Sequence, residues 1–153
     1  MIILCIHDYG RRNKQCILKS VIYKYSSNLE MVFYDMGQIF MNRIDPRISQ
    51  AAYYRLLTPI FIDLDKIIYL DGDTFVFKDL NEMYQLKFND NYILGFLDVA
   101  SDGVDYLGIK SEKYINSGVV LLNLEKIRND KKVYELIKVT NRNIYIYLVK
   151  IKQ

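Results

Sequence analysis

The stretch from which the fold and the chemistry can be worked out is Ile67-Ile68-Tyr69-Leu70-Asp71-Gly72-Asp73. Its first four residues are apolar, and their β-branched and aromatic side chains are typical of a short buried strand. Gly72 suits a sharp exit from that strand. In an open α/β sheet, ligands bind at the carboxyl ends of the strands, and two neighbouring carboxylates repel each other unless a proton or a cation lies between them. The pattern therefore predicts a divalent metal at Asp71 and Asp73, with a phosphate-bearing substrate behind it.

Strand and helix signals alternate along the rest of the chain. Residues 2–6 and 31–34 are typical of strands, and residues 12–25 between them have helical spacing. A strand, a helix and a second strand in this order favour a parallel pair. The pattern further predicts a helix over 48–57 whose extension Pro59 limits, strands over 92–97 and 119–122, a loop over 99–113, and a helix from 124 to 137. The sequence thus predicts an α/β fold with a mostly parallel sheet.

Length and composition predict one globular domain. The chain has 153 residues, of which 51% are hydrophobic and 25% charged. The net charge of +3 is too small to indicate nucleic acid as a partner. Residues 125–153 carry eight Lys or Arg against three Asp or Glu, so this basic tail is either a solvated face or a peripheral contact with an anionic membrane surface. No apolar run approaches the ~20 residues of a membrane span, and no signal-peptide pattern is present.

The two cysteines are Cys5, in an apolar run, and Cys16, on a predicted helical face. Neither has metal-ligand spacing. We interpret them as buried, reduced thiols of a cytoplasmic protein, with peripheral contact at the inner face of the membrane as an option.

Three motifs follow one another in the sequence: Tyr53-Tyr54-Arg55, then Tyr69-Leu70-Asp71-Gly72-Asp73, then Asn116-Ser117-Gly118-Val119. In this order they resemble glycosyltransferase family 8, whose members are retaining sugar transferases of the GT-A fold, such as bacterial lipopolysaccharide glucosyl- and galactosyltransferases. The resemblance is strongest over residues 49–128, while residues 143–153 form an atypical tail. It implies one partial GT-A domain over residues 1–153.

The resemblance also assigns expected roles to individual residues. It implies metal ligation by Asp71 and Asp73, donor binding by Arg55, Asp71 and Ser117, and catalytic roles for Asp98 and Asn116. The expected cation is Mn²⁺ or Mg²⁺, the expected donor is a UDP-hexose, and the expected acceptor is a bacterial surface glycan such as lipopolysaccharide. Each residue also has a plainer interpretation, in which the acids and Asn116 cap turns and Arg55 pairs with an acid on a helix surface.

Two family features are absent from the sequence. Family members begin with a strand and loop that bind the uridine, and later carry a His-x-x-Gly-x-x-Lys-Pro-Trp motif whose His completes the metal site. The chain is therefore expected to be an internal fragment that is weak or inactive alone. One alternative is a non-catalytic remnant that keeps only the sheet. Another is a phosphotransferase of the haloacid dehalogenase type, although Phe75 stands where its Asp-x-Asp-x-Thr/Val motif needs Thr or Val.

Overall fold

The structure, a computed structural model, describes residues 2–7, 12–25, 30–36, 50–98 and 115–140. Its contacts divide the chain into two compact units, one of residues 1–57 with 134–153 and one of residues Thr58–Val133. Compactness does not by itself set domain boundaries, so one partial domain over 1–153 stays a prediction. The predicted loop over 99–113 and the atypical tail over 143–153 lie outside the described residues.

The first unit contains a parallel strand pair. Its elements are β1 (Ile2–His7), α1 (Arg12–Tyr25), β2 (Glu30–Asp35), α2 (Gln50–Tyr54) and a 3-10 turn (Arg55–Leu57). Strand β1 pairs with β2 in parallel, with Ile2 opposite Glu30 and His7 opposite Asp35. The predicted β-α-β arrangement is confirmed.

One face of α1 differs from the prediction. Cys16 was predicted to be buried on a helical face, but Cys16, Ile17, Val21 and Tyr25, which lie near one face of α1, are all exposed. Cys16 is a free, exposed thiol, so its predicted burial is wrong. The side chain of Cys5 lies outside the described part of the chain. Spacing shows which side chains share a face of a helix, but not whether another element covers that face.

The second unit contains a three-stranded sheet. Its elements are α3 (Thr58–Phe61), β3 (Lys66–Leu70), α4 (Asn81–Tyr84), β4 (Ile93–Leu97), β5 (Ile115–Asn123) and α5 (Leu124–Asn129), and α6 (Lys132–Thr140) begins at its end. The strand order is β3-β5-β4, and β5 is antiparallel to both neighbours. The prediction of a mostly parallel sheet fails here, because β5 lies between two strands that run in the same direction.

The core of the second unit is built on β5. It is the central strand, and its consecutive residues Val120, Leu121 and Leu122 are all buried. Because successive side chains of a strand point to opposite faces, β5 is covered on both faces. Leu124 and Ile127 of α5 are also buried, and α5 contacts both α3 and β3. The outer strand β4 is mostly exposed.

Two helices end at different places from those predicted. Helical structure continues through Pro59, because a new helix begins at Thr58 and proline is tolerated in the first turn, where its missing N–H is not needed. The helix predicted over 124–137 is broken into α5 and α6, with Lys131 between them at φ 55°. Within the described ranges, no helix is both long and apolar enough to cross a membrane.

A cluster of charged and aromatic side chains holds α5 to the start of β4. The Lys126 ammonium lies 2.7 Å from Asp90 and 3.0 Å from Asp130, and 5.0 Å from the centre of the Tyr92 ring. The Tyr92 hydroxyl donates to Asp130 Oδ2 at 2.8 Å. That hydrogen bond lowers the pKa of Asp130 and raises the pKa of Tyr92, and the bonds to Asp90 and Asp130 raise the pKa of Lys126.

Candidate functional site

The antiparallel sheet brings most of the predicted site residues to one edge. Asp71 follows the carboxyl end of β3, and Asp98 follows the carboxyl end of β4. Asn116 and Ser117 lie at the amino end of β5, because this strand begins at Ile115 and not at the predicted residue 119. Since β5 is antiparallel to its neighbours, its amino end meets their carboxyl ends. Strand direction therefore explains how residues from three distant segments share an edge.

Asp71 and Asp73 are joined by a tight turn. The amide of Thr74 donates to the Asp71 carbonyl oxygen at 3.1 Å, which closes a four-residue turn around Gly72 and Asp73. A Cβ added at Gly72 would meet nothing within 4 Å. The predicted sharp exit from the strand is therefore confirmed, but it does not depend on the small size of glycine. Asp71 is half-buried and Asp73 is exposed.

The carboxylate of Asp71 lies between a tyrosine hydroxyl of its own strand and a glycine of the neighbouring strand. The Tyr69 hydroxyl donates to Asp71 Oδ1 at 2.7 Å. Oδ2 lies over Gly118, 2.7 Å from the position that a Cβ of residue 118 would occupy. The amide of Asp71 donates to the Gly118 carbonyl oxygen at 2.8 Å, which extends the β3–β5 ladder by one residue beyond the pair of Leu70 and Val119.

The side chain of Asn116 bonds to the backbone of its own strand, two residues further along. Its Oδ1 accepts a hydrogen bond from the Gly118 amide at 2.8 Å. The same oxygen lies 3.1 Å from the Cβ position of residue 118, so it approaches the space that Asp71 Oδ2 fills. Asn116 and Ser117 are exposed, while Gly118 is buried. One carboxylate oxygen, from Asp71, and one amide oxygen, from Asn116, therefore lie close to Gly118.

The other two predicted site residues have different settings. Asp98 is half-buried directly after β4, whose last residue, Leu97, pairs with Ile115 of β5. Arg55 belongs to the first unit, in the 3-10 turn after α2, where its Nε donates to the Ala52 carbonyl oxygen at 2.7 Å. The role predicted for Arg55 toward a donor stays a prediction.

The chemistry of the donors at this edge fits a hard divalent cation. Asp71 and Asp73 offer carboxylate oxygens and Asn116 an amide oxygen, which are the ligand types that Mg²⁺ and Mn²⁺ prefer. Across the described ranges, no three His, Cys, Asp or Glu side chains come together as a metal-binding group. A cation held by one or two carboxylates normally completes its coordination with water and substrate phosphates.

Sequence reasoning assigned no role to Tyr69 or to Gly118. The signal for Tyr69 was available, because residues two apart in a strand point to the same face, which puts Tyr69 beside Asp71. Gly118 carried a weaker signal. A glycine inside a strand often marks the close approach of another group, but the group could not be named before the register of β3 and β5 was known.

Comparison with known proteins gives one consistent result. The model of glycosyl transferase family 8 matches residues 3–151. The lipopolysaccharide 1,2-glucosyltransferase of Escherichia coli is 34% identical over 150 residues, which cover 86% of this chain and 42% of that enzyme. Glycosyltransferase GlyE of Streptococcus pneumoniae is 29% identical over 97 residues, which cover 63% of this chain and 22% of that protein. The chain therefore spans less than half the length of these relatives.

Solved structures show the same fold. The galactosyltransferase LgtC, in complex with donor and acceptor sugar analogs, superposes with a TM-score of 0.64 at 21% identity, over 90% of this chain and 64% of LgtC. The bifunctional glycosyltransferase WbbM superposes with a TM-score of 0.66 at 19% identity, over 85% of this chain and 27% of WbbM. This likeness confirms the predicted α/β GT-A fold.

Proposed function

Because this chain belongs to glycosyltransferase family 8, we propose that the protein transfers a hexose from a UDP-sugar to a bacterial surface glycan such as lipopolysaccharide, with retention of configuration. The observation that carries the proposal is the edge of the antiparallel sheet, where Asp71, Asp98 and Asn116 come from three different segments to one place. Polar side chains gathered at one edge of a sheet suit a ligand with many hydroxyl groups.

The reaction exchanges one bond at the anomeric carbon for another. The bond from that carbon to the diphosphate oxygen breaks, and a bond to an acceptor hydroxyl oxygen forms on the same face of the sugar. The hydroxyl proton passes to the departing diphosphate, and UDP leaves. Negative charge grows on the diphosphate as the first bond breaks, so the site must stabilise that charge.

Asp71 and Asp73 would hold a divalent cation, Mn²⁺ or Mg²⁺, next to the diphosphate. Such a cation supplies positive charge where the leaving group becomes more negative. The turn that the Thr74 amide closes onto the Asp71 carbonyl oxygen fixes the backbone between the two residues. Asp71 would also contact the ribose. Asp73 is the more exposed of the pair and would be the firmer metal ligand.

The remaining residues would bind and orient the sugars. Asp98 accepts hydrogen bonds from sugar hydroxyls in this proposal, and Asn116 acts beside it at the amino end of β5. Ser117 and Arg55 contact the donor, the latter through a planar guanidinium that suits phosphate and sugar oxygens. Orienting the donor and acceptor in this way lowers the entropic part of the barrier.

We propose that the protein works in the cytoplasm, with peripheral contact at the inner face of the membrane. The excess of positive charge in residues 125–153 would favour an anionic surface. Nucleic acid is not an expected partner.

The test measures sugar transfer and metal binding together. The purified chain is incubated with Mn²⁺, lipopolysaccharide and radiolabelled UDP-glucose or UDP-galactose, and sugar released to water or passed to glycan is counted. We expect slow, Mn²⁺-dependent turnover that Asp73→Asn lowers by about 100-fold, since loss of one electrostatic partner of a transition state typically costs 10²–10³ in rate. Calorimetry should show weak Mn²⁺ binding that the same substitution removes.

The chain supplies a matched control for this experiment. Asp63 and Asp65 form a second Asp-x-Asp pattern that precedes β3, and both residues are exposed. Asp63→Asn removes the same charge at the amino side of the strand and should leave turnover and Mn²⁺ binding unchanged. Equal losses in the two variants would reject the site. Absence of any turnover or Mn²⁺ binding in the wild type would favour the alternative of a non-catalytic protein.

A further inference from the structure

Asp71 lies directly across the sheet from Gly118. Leu70 pairs with Val119, and the hydrogen bond from the Asp71 amide to the Gly118 carbonyl oxygen continues that register. In an antiparallel pair, side chains directly opposite each other stand on the same face with Cβ atoms about 4.5–5.5 Å apart. Any side chain at position 118 would therefore stand beside the side chain of Asp71.

Gly118 has no side chain, and the Asp71 carboxylate occupies the space. A Cβ at position 118 would lie 2.7 Å from Asp71 Oδ2 and 3.2 Å from Asp71 Cγ. A contact of 2.7 Å is shorter than a carbon and an oxygen tolerate, so the carboxylate or the strand would have to move. Glycine at this position is what allows the carboxylate to lie across the neighbouring strand.

Tyr69 fixes the other oxygen of the same carboxylate. It stands two residues before Asp71 in β3 and so points to the same face of the sheet. Its hydroxyl donates to Oδ1 at 2.7 Å, and hydrogen bonds to an ionised acceptor are stronger than those between neutral groups. A carboxylate offers about four acceptor positions, so a hydrogen bond to Oδ1 orients the group and is compatible with further ligands.

We propose that Tyr69 and Gly118 are positioning residues that together fix the orientation of the Asp71 carboxylate, Tyr69 by a hydrogen bond to Oδ1 and Gly118 by the space left for Oδ2. That this orientation strengthens the binding of a cation rests on the function proposed above. Replacing a group that orients a metal ligand without touching the metal typically lowers metal affinity by 10–100-fold. Neither residue contacts substrate or metal in this proposal.

Two variants and two controls test the proposal in the full chain. Tyr69→Phe removes the hydroxyl and keeps the ring, and Gly118→Ala adds the Cβ. Gly95→Ala is the control in the same sheet, since its Cβ would meet only apolar atoms, those of Val120 at 3.2 Å and Ile115 at 3.3 Å. Gly72→Ala is the control in the site turn, where a Cβ meets nothing within 4 Å.

The first readout needs no metal. The ¹³C resonance of the Asp71 carboxyl carbon, assigned in aspartate-labelled metal-free protein, should move in Tyr69→Phe and in Gly118→Ala and stay in place in both controls. The second readout is the Kd for Mn²⁺ from electron paramagnetic resonance, which should rise about 10–100-fold in the two variants only. Tyr69→Phe keeps the test decisive if Gly118→Ala does not fold.

The outcomes separate this inference from the proposed function. An unchanged Asp71 resonance in Tyr69→Phe would overturn the inference, whatever the protein does with Mn²⁺. A Gly118→Ala variant that keeps the wild-type Asp71 resonance would also overturn the inference, even if the variant melts at a lower temperature, as Gly95→Ala should. A resonance that moves as expected in a protein that does not bind Mn²⁺ would support the positioning and reject the cation.

Discussion

The guanidinium of Arg128 donates from Nη2 to the carbonyl oxygen of Leu64 at 2.9 Å, across 64 residues of sequence. Its Nη1 donates to the carbonyl oxygen of Ile62 at 3.1 Å and lies 3.4 Å from that of Pro59. Carbonyl groups at the end of a short helix have no partner within the helix. Arg128 therefore joins α5 to the end of α3 and to the bend that leads into β3, the strand that carries Asp71.

Arg128→Ala should destabilise the chain more than a typical surface substitution. It removes two or three hydrogen bonds from a charged donor and leaves carbonyl groups near buried Pro59 and Ile62 without that partner. We expect the free energy of unfolding in urea to fall by roughly 2–3 kcal/mol. Arg128→Lys should recover only part of the loss, because one ammonium cannot reproduce the fork of the guanidinium.

The matched control for Arg128 is Lys87→Ala, which removes a positive charge from an exposed position in the same unit. It should change the free energy of unfolding by less than about 0.5 kcal/mol. If Arg128→Ala and Lys87→Ala had the same midpoint in urea, the carbonyl contacts of Arg128 would contribute nothing to stability.

Local sequence patterns predicted the elements well, and long-range pairing was where they failed. The strands over 2–6 and 31–34 and their parallel pairing are present, because a helix between two strands favours that geometry. The antiparallel insertion of β5 between β3 and β4 left no mark on any local pattern, since an apolar strand has the same composition in either direction.

In the candidate site, too, local motifs were predicted from the sequence and contacts between distant segments were not. Motif order pointed to Asp71, Asp98 and Asn116, and the sheet brings their segments to one edge. The roles of Tyr69 and Gly118 depend on side-chain contacts that only the register supplies. Similarly, Cys16 on α1 was predicted to be buried and is exposed, because helical spacing carries no information about a covering partner.

The cluster of Tyr92, Lys126 and Asp130 predicts how stability changes with pH. The Tyr92 hydroxyl and then Lys126 lower the pKa of Asp130 from its ordinary 3.8, so its contribution to stability is present above pH 3.8 and is lost as the pH falls through the folded-state pKa. The hydrogen bond to Asp130 raises the pKa of Tyr92 from its ordinary 10.0, so its contribution is lost only as the pH rises above 10.

The effect of this cluster on stability is measured as the urea concentration at the midpoint of unfolding, at pH values between 2.5 and 11. Wild type should be more stable than Asp130→Asn through the neutral range, and the two curves should converge on the acid side as Asp130 becomes protonated. Because Asp130 is exposed and the other two groups are only half-buried, the difference should be small and should shrink in 1 M salt. A difference that persisted unchanged at pH 2.5 would show that the Asp130 charge is not its source.

Asn116→Asp tests whether the sheet edge is tuned for a cation. The substitution keeps the shape of the side chain and its acceptor for the Gly118 amide, but it adds a negative charge close to the Asp71 carboxylate. Like charges destabilise each other without a cation, and a further carboxylate strengthens the binding of a hard cation. We expect a melting temperature several degrees below wild type in metal-free buffer, corresponding to about 1 kcal/mol, and a larger rise than wild type when Mn²⁺ is added.

The control is Asn123→Asp at the other end of β5, where the side chain accepts from the Lys126 amide at 3.0 Å and caps α5. A negative charge favours the amino end of a helix, so this variant should melt at the wild-type temperature or slightly above, with no added response to Mn²⁺. If Asn116→Asp melted like wild type both with and without Mn²⁺, the oxygens around Gly118 would be too far from Asp71 to share a cation.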